Sequence, residues 1–133
     1  MGTNIDYNHM LEQVLDKNKI ISEPSDLVEQ WNEFVQQCVE GYQYSLFEFD
    51  YEVSVRDEIQ QIIDDGRLQE YEEFKDFVNK VDEIDNNFKS VVNDFKIPER
   101  DKLPWWKKGI LKKAGDQYVQ NVKDELGLEV QRL

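Results

Sequence analysis

Asp6 and His9 stand three residues apart, a spacing that puts both side chains on one face of a helix. Helical metal sites use such pairs, but together with further carboxylates and generally a second histidine. His9 is the single histidine of the chain, so no metal role is expected. Ser/His/Asp or Cys/His catalysis would rest on His9 alone, with nothing nearby to orient it. The remaining groups with chemical potential are acids: Asp57-Glu58, Asp64-Asp65, Glu72-Glu73 with Asp76, and Asp82-Glu83 with Asp85. With 29 acidic residues among 133, such pairs arise by chance, and they read as solvated helix faces. Asp82–Asn87 lacks the glycine that a calcium loop needs at its sixth position, and no glycine-rich phosphate loop occurs. No catalytic residue and no cofactor are expected.

The stretch from Glu40 to Asp65 is different in kind. It holds eight acids against one base, Arg56, and it interleaves them with Tyr42, Tyr44 and Tyr51. Tyrosines anchor protein interfaces, while acids steer a cationic partner and speed its association. The partner-binding set expected here is Tyr44, Glu48, Asp50, Tyr51, Glu52, Asp57 and Glu58, with Tyr42 also exposed among the acids. The acids pair with the partner's Lys and Arg, and Tyr44 and Tyr51 supply contact area.

The chain carries a net charge of −13, which favours solubility at some expense to the compact state. That charge argues against nucleic acid or an anionic membrane as the main partner. Its placement is uneven: net −12 over residues 1–66, −3 over 67–96 and +2 over 97–133, so the tail can lie over the acidic half. Sixteen aromatics supply a core that a disordered chain would lack. The lone Cys38 excludes an internal disulfide and reads as a small core residue. No signal-peptide pattern, myristoylation motif or membrane-length apolar run is seen, and the expectation is a reduced, soluble, cytoplasmic protein.

The elements that would position the acids follow from periodicity. Tyr7, Met10, Leu11, Val14 and Leu15 form one helical stripe. Ser22-Glu23-Pro24-Ser25 starts a second helix carrying Leu27, Val28, Trp31, Phe34, Val35, Cys38, Val39 and Tyr42. FEFDYEV at 47–53 fits either period two or period 3.6. Since a lone strand is unstable, it is expected to be a helix end leading into an extended connector, its aromatics inward and its acids outward. Ser54-Val55-Arg56-Asp57 reads as a capping box with Asp for Glu. It opens a helix with Val55, Ile59, Ile62 and Ile63 that ends at Asp64-Asp65-Gly66. Phe74, Phe77, Val81, Ile84, Phe88, Val91 and Phe95 make a seam over 67–96, widened by Leu68, Tyr71, Val78 and Val92 and stopped at Ile97-Pro98. PERDKLP connects to WWKKGILKK, whose tryptophans are expected to plug the bundle end. A last stripe of Ala114, Tyr118, Val122 and Leu126 closes at Gly127.

Glu72-Glu73-Phe74-Lys75-Asp76 followed by Asp82-Glu83-Ile84-Asp85 resembles, in distorted form, the magnesium-binding pattern of all-helical nucleotide pyrophosphohydrolases. Asp is substituted and the spacer is too short. At Ser54-Val55-Arg56-Asp57 and Trp105-Trp106…Lys113-Ala114-Gly115, the chain resembles small, acidic, helical bacterial proteins without assigned activity, over about residues 27–126. Small acidic bacterial proteins often serve as immunity proteins that mask a basic nuclease toxin, and the resemblance implies that role by analogy. The expected fold is all-α, a bundle of four or five helices with one long central helix. It forms one domain over 1–133, in which 98–133 is a connector plus docking helix. The expected function is a non-enzymatic binding protein for a basic protein partner, most concretely a toxin-neutralising immunity protein. The alternatives are a metal-dependent nucleotide hydrolase using the acids at 72–85, and a homo-oligomer through 74–95.

Overall fold

The computed structural model describes residues 5–93 and 96–133. Helix α1 (Tyr7–Lys17) opens where Asp6 accepts the His9 amide, and it buries Leu11 and Val14. Helix α2 (Pro24–Glu40) starts with Pro24 in its first turn and buries Leu27, Trp31, Phe34, Val35 and Cys38. The FEFDYEV stretch is itself helical: α3 (Leu46–Glu52) turns Leu46 and Phe49 inward. Helix α4 (Val55–Asp65) follows and ends where Gly66 takes a left-handed conformation at φ 87°, a geometry that glycine alone adopts freely. Helix α5 (Glu72–Lys89) buries Phe74, Phe77, Val81, Ile84, Asp85 and Phe88. A short α6 (Trp105–Lys108) and α7 (Asp116–Leu126) complete the helices, with Gly127 closing α7.

The all-α class is therefore observed, with six helices of seven residues or more among the described residues rather than four or five. No single long central helix stands out. α5 has 18 residues and α2 has 17, and α2 lies against both α5 and α4. The stripe expected over 67–96 is cut at both ends. Leu68 is buried in a turn, Tyr71 caps α5, and the Ser90 hydroxyl donates to the Asn87 carbonyl at 2.6 Å as the helix stops. The β-branched Val91 and Val92 suit extended backbone. β1 (Val92–Asn93) pairs antiparallel with β2 (Ile110–Leu111), and β3 (Lys113–Ala114) pairs parallel with β4 (Gln131–Arg132). Ala114 thus lies in a strand and not in the last helical stripe. Phe95, the end of the expected seam, lies outside the described residues.

The expected extended connector is likewise corrected. Ser45 caps α3 by accepting the Glu48 amide at 3.0 Å, so a Ser-x-x-Glu cap governs this stretch and the 3.6 period prevails. Ser54 makes no capping box. Its backbone is helical, and its hydroxyl donates back to the Asp50 carbonyl at 3.1 Å, which leaves α3 and α4 joined by a tight bend.

The core is aromatic at its centre. Trp31 and Phe88 rings lie 5.1 Å apart, Phe34 and Phe49 5.4 Å, and Phe49 and Tyr118 5.3 Å, in the tilted and edge-on arrangements that ring quadrupoles favour. One buried ion pair crosses this core. Arg56 donates from Nε and Nη2 to both carboxylate oxygens of Asp85, each at 2.9 Å, and Trp31 Nε1 donates to the same carboxylate at 2.9 Å. The Trp106 ring covers the guanidinium at 4.7 Å. A buried charge needs such complete partnering to be tolerated.

Candidate functional site

On α3, residues four apart share a face. Leu46, Phe49 and Val53 at the end of the helix form the buried side, so Phe47, Glu48 and Tyr51 must point away from it. Phe47 is 58% exposed and Tyr51 82% exposed. Phe47 faces solvent instead of anchoring the stretch inward, whereas Tyr51 is exposed as the partner-binding reading requires. Tyr42 is fully buried, contrary to its expected exposure. Its hydroxyl donates to Glu52 Oε2 at 2.6 Å, and burial, with that carboxylate, pushes its phenol well up.

The seven expected partner-binding residues fall into two groups. Asp50 is half-buried and clamped by Arg100, whose Nη1 and Nη2 donate at 3.0 and 2.9 Å. Asp57 accepts Trp106 Nε1 at 2.7 Å and pairs with Lys107 Nζ at 2.5 Å. Glu52 is held by Tyr42. These three carboxylates already have partners inside the molecule. Tyr44, Glu48, Tyr51 and Glu58 have no side-chain hydrogen bond or ion pair among the described residues; Tyr44 sets its ring edge-on against Tyr42 at 5.6 Å.

Tyr51, Glu52, Asp57 and Glu58 come together along one open groove of about 470 Å³. The groove runs between the α3–α4 bend and α2, and Phe34 and Val55 supply its apolar lining. Its other wall is Gln30, Glu33 and Gln37 of α2, which sequence reasoning missed. These three positions lie at i, i+3 and i+7, a polar stripe legible beside the apolar one. Nothing in the sequence says that α4 packs beside it. Tyr44, Glu48 and Asp50 do not line this groove. Asp50 instead lines a second groove of about 430 Å³ with Leu46, Phe47, Leu103 and Leu126.

The other chemical candidates resolve into structure. Asp6 and His9 form the α1 cap, with Asp6 Oδ1 2.9 Å from the His9 amide and 3.0 Å from its Nδ1, which lowers the Asp6 carboxyl. Of the α5 acids, Glu72 meets Lys75 at 3.3 Å, and Asp85 is the buried partner of Arg56. Among the described residues, no three His, Cys, Asp or Glu side chains converge as a metal site. Phe74, Phe77, Val81, Ile84 and Phe88 of α5 are taken up by the core. Trp106 is buried and, with Lys107, meets Asp57 of the acidic half, while Lys89 lies 4.5 Å over the Trp105 ring. No helix among the described residues is long and apolar enough to cross a membrane.

No family model, curated protein or solved structure matches this chain. The fold and groove define an all-α protein with an acid-walled open groove.

Proposed function

We propose that the chain is a non-enzymatic binding protein for a basic protein partner, and that toxin neutralisation, as in an immunity protein, is its most concrete form. One observation carries this reading. The groove between α2 and the α3–α4 bend presents Glu33 and Glu58 from opposite walls, neither with an ion-pair partner among the described residues, on a chain of net charge −13. Such a surface steers a cationic partner and raises its association rate by about 10²–10³-fold at low salt. Asp50, Asp57 and Glu52 hold the scaffold in this mechanism, while Glu33, Glu58 and Glu48 meet the partner's Lys and Arg.

The test is a pull-down from native lysate at about 50 and about 200 mM salt, comparing wild type with Glu33→Lys/Glu58→Lys. Among the described residues, neither side chain makes a hydrogen bond or ion pair that the substitutions would break. A basic protein retained by wild type at low salt and released by the variant is the expected result, followed by loss of that protein's toxic activity when wild type is added. Equal capture by both forms would remove the groove as the interface.

A further inference from the structure

Phe47 and Tyr51 lie on adjoining turns of α3, 58% and 82% exposed. Leu46 and Phe49 seat this helix on the core, and the outer aromatics lie outside it. Exposed apolar groups that cluster, unlike scattered ones, mark contact surfaces. Their position sharpens the point. Tyr51 borders the acid-walled groove, and Phe47 borders the second groove, whose lining includes Leu46, Leu103 and Leu126. α3 is therefore a ridge between a cation-attracting trough and a mixed one, in which Phe47, Leu103 and Leu126 lie among Glu99, Arg100, Lys107 and Glu125.

We propose that this ridge anchors a protein segment whose apolar side chains are flanked by Lys or Arg. This rests on the binding reading above and names the partner's chemistry. The apolar side chains cover Phe47 and enter the trough beside Leu103, and the cations reach Glu33 and Glu58 past Tyr51. Charge decides the occupant. A second copy would bring its own −13, with Glu48 and Glu52 beside the same aromatics, so like charges would face each other across the contact. A purely cationic segment would leave Phe47 and Leu103 uncovered and would meet Arg100 and Lys107 of the second groove. Rigid aromatics at the centre of a contact carry affinity, whereas acids around them set the rate.

The experiment uses two probe peptides of equal length and charge, an amphipathic Lys/Leu helix and an oligolysine. They are titrated into wild type, Phe47→Ser/Tyr51→Ser and Glu33→Gln/Glu58→Gln, with amide shifts mapping the site. The Lys/Leu peptide should bind wild type about tenfold or more tightly than oligolysine, the ratio that about 1.4 kcal/mol of aromatic contact gives. Its shifts should centre on residues 44–52. Loss of both aromatics should abolish that advantage and leave oligolysine binding unchanged, while loss of the two acids should weaken both peptides. Equal affinities, an advantage that survives Phe47→Ser/Tyr51→Ser, or shifts centred elsewhere would overturn the ridge and leave the acidic groove standing. Failure of both peptides to bind would overturn both readings.

Discussion

At the scale of single residues, the decisive distinction is between acids that already have partners and acids that do not. Asp85 is the extreme case, because it accepts from both Arg56 and Trp31 in the core. Arg56→Met should destabilise by about 3–5 kcal/mol, since it strands a buried carboxylate; urea unfolding followed through tryptophan fluorescence measures this. A loss below about 1 kcal/mol would mean that the pair is effectively solvated. Asp65 is the titrating counterpart. Hydrogen bonds from Arg67, and then from Asn18 at the end of α1, lower its carboxyl from 3.8 to about 2. A folded-state value below the unfolded one stabilises the fold above pH 4, and that stabilisation is lost as pH falls from about 4 toward 2. The advantage of wild type over Asp65→Asn should therefore shrink between about pH 5 and about pH 2.5. A constant difference across that range would contradict the pairing.

At the scale of elements, α3 shows how much was legible. The extent of α1, the start of α2 and the stop of α4 followed from stripes, Pro24 and Gly66, whereas α2 stops at Glu40 although its stripe runs on to Tyr42. For 47–53 the deciding signal was also present, because Ser45 and Glu48 have the spacing of a capping box, but the period-two alternation masked it. Ser45→Ala removes the side chain that accepts the Glu48 amide and should cost about 1 kcal/mol. Chemical denaturation checks it, and an unchanged midpoint would mean that packing of Leu46 and Phe49 alone sets the start of α3. Which acids stay free was not legible. Asp50 and Glu48 look alike in sequence. They differ because Arg100, fifty residues on, folds back to Asp50, and no local pattern encodes that return. The end of α5 failed for a related reason: Val91 and Val92 continue its stripe, yet Val92 pairs with Leu111 and the Val91 carbonyl accepts the Lys112 amide, both outside the helix.

At the scale of the whole molecule, two electrostatic effects oppose each other. Arg100–Asp50 and Lys107–Asp57 strap the C-terminal third across α3 and α4, while a net charge of −13 pushes the chain apart. Each strap pair is partly exposed and worth at most about 1 kcal/mol. The repulsion acts between many charges at once, over distances that about 0.1 M salt screens to roughly 10 Å. Repulsion should therefore dominate, and the melting temperature should rise as sodium chloride goes from about 20 to about 200 mM. Arg100→Gln/Lys107→Gln loses both pairs and two positive charges. It should melt below wild type at low salt, with a gap that narrows as salt rises, because screening weakens the lost pairs and the added repulsion together. A wild-type melting temperature that falls with salt would show instead that the two straps outweigh the repulsion. The acidic surface would then be a by-product of internal pairing, not a charge held ready for a partner.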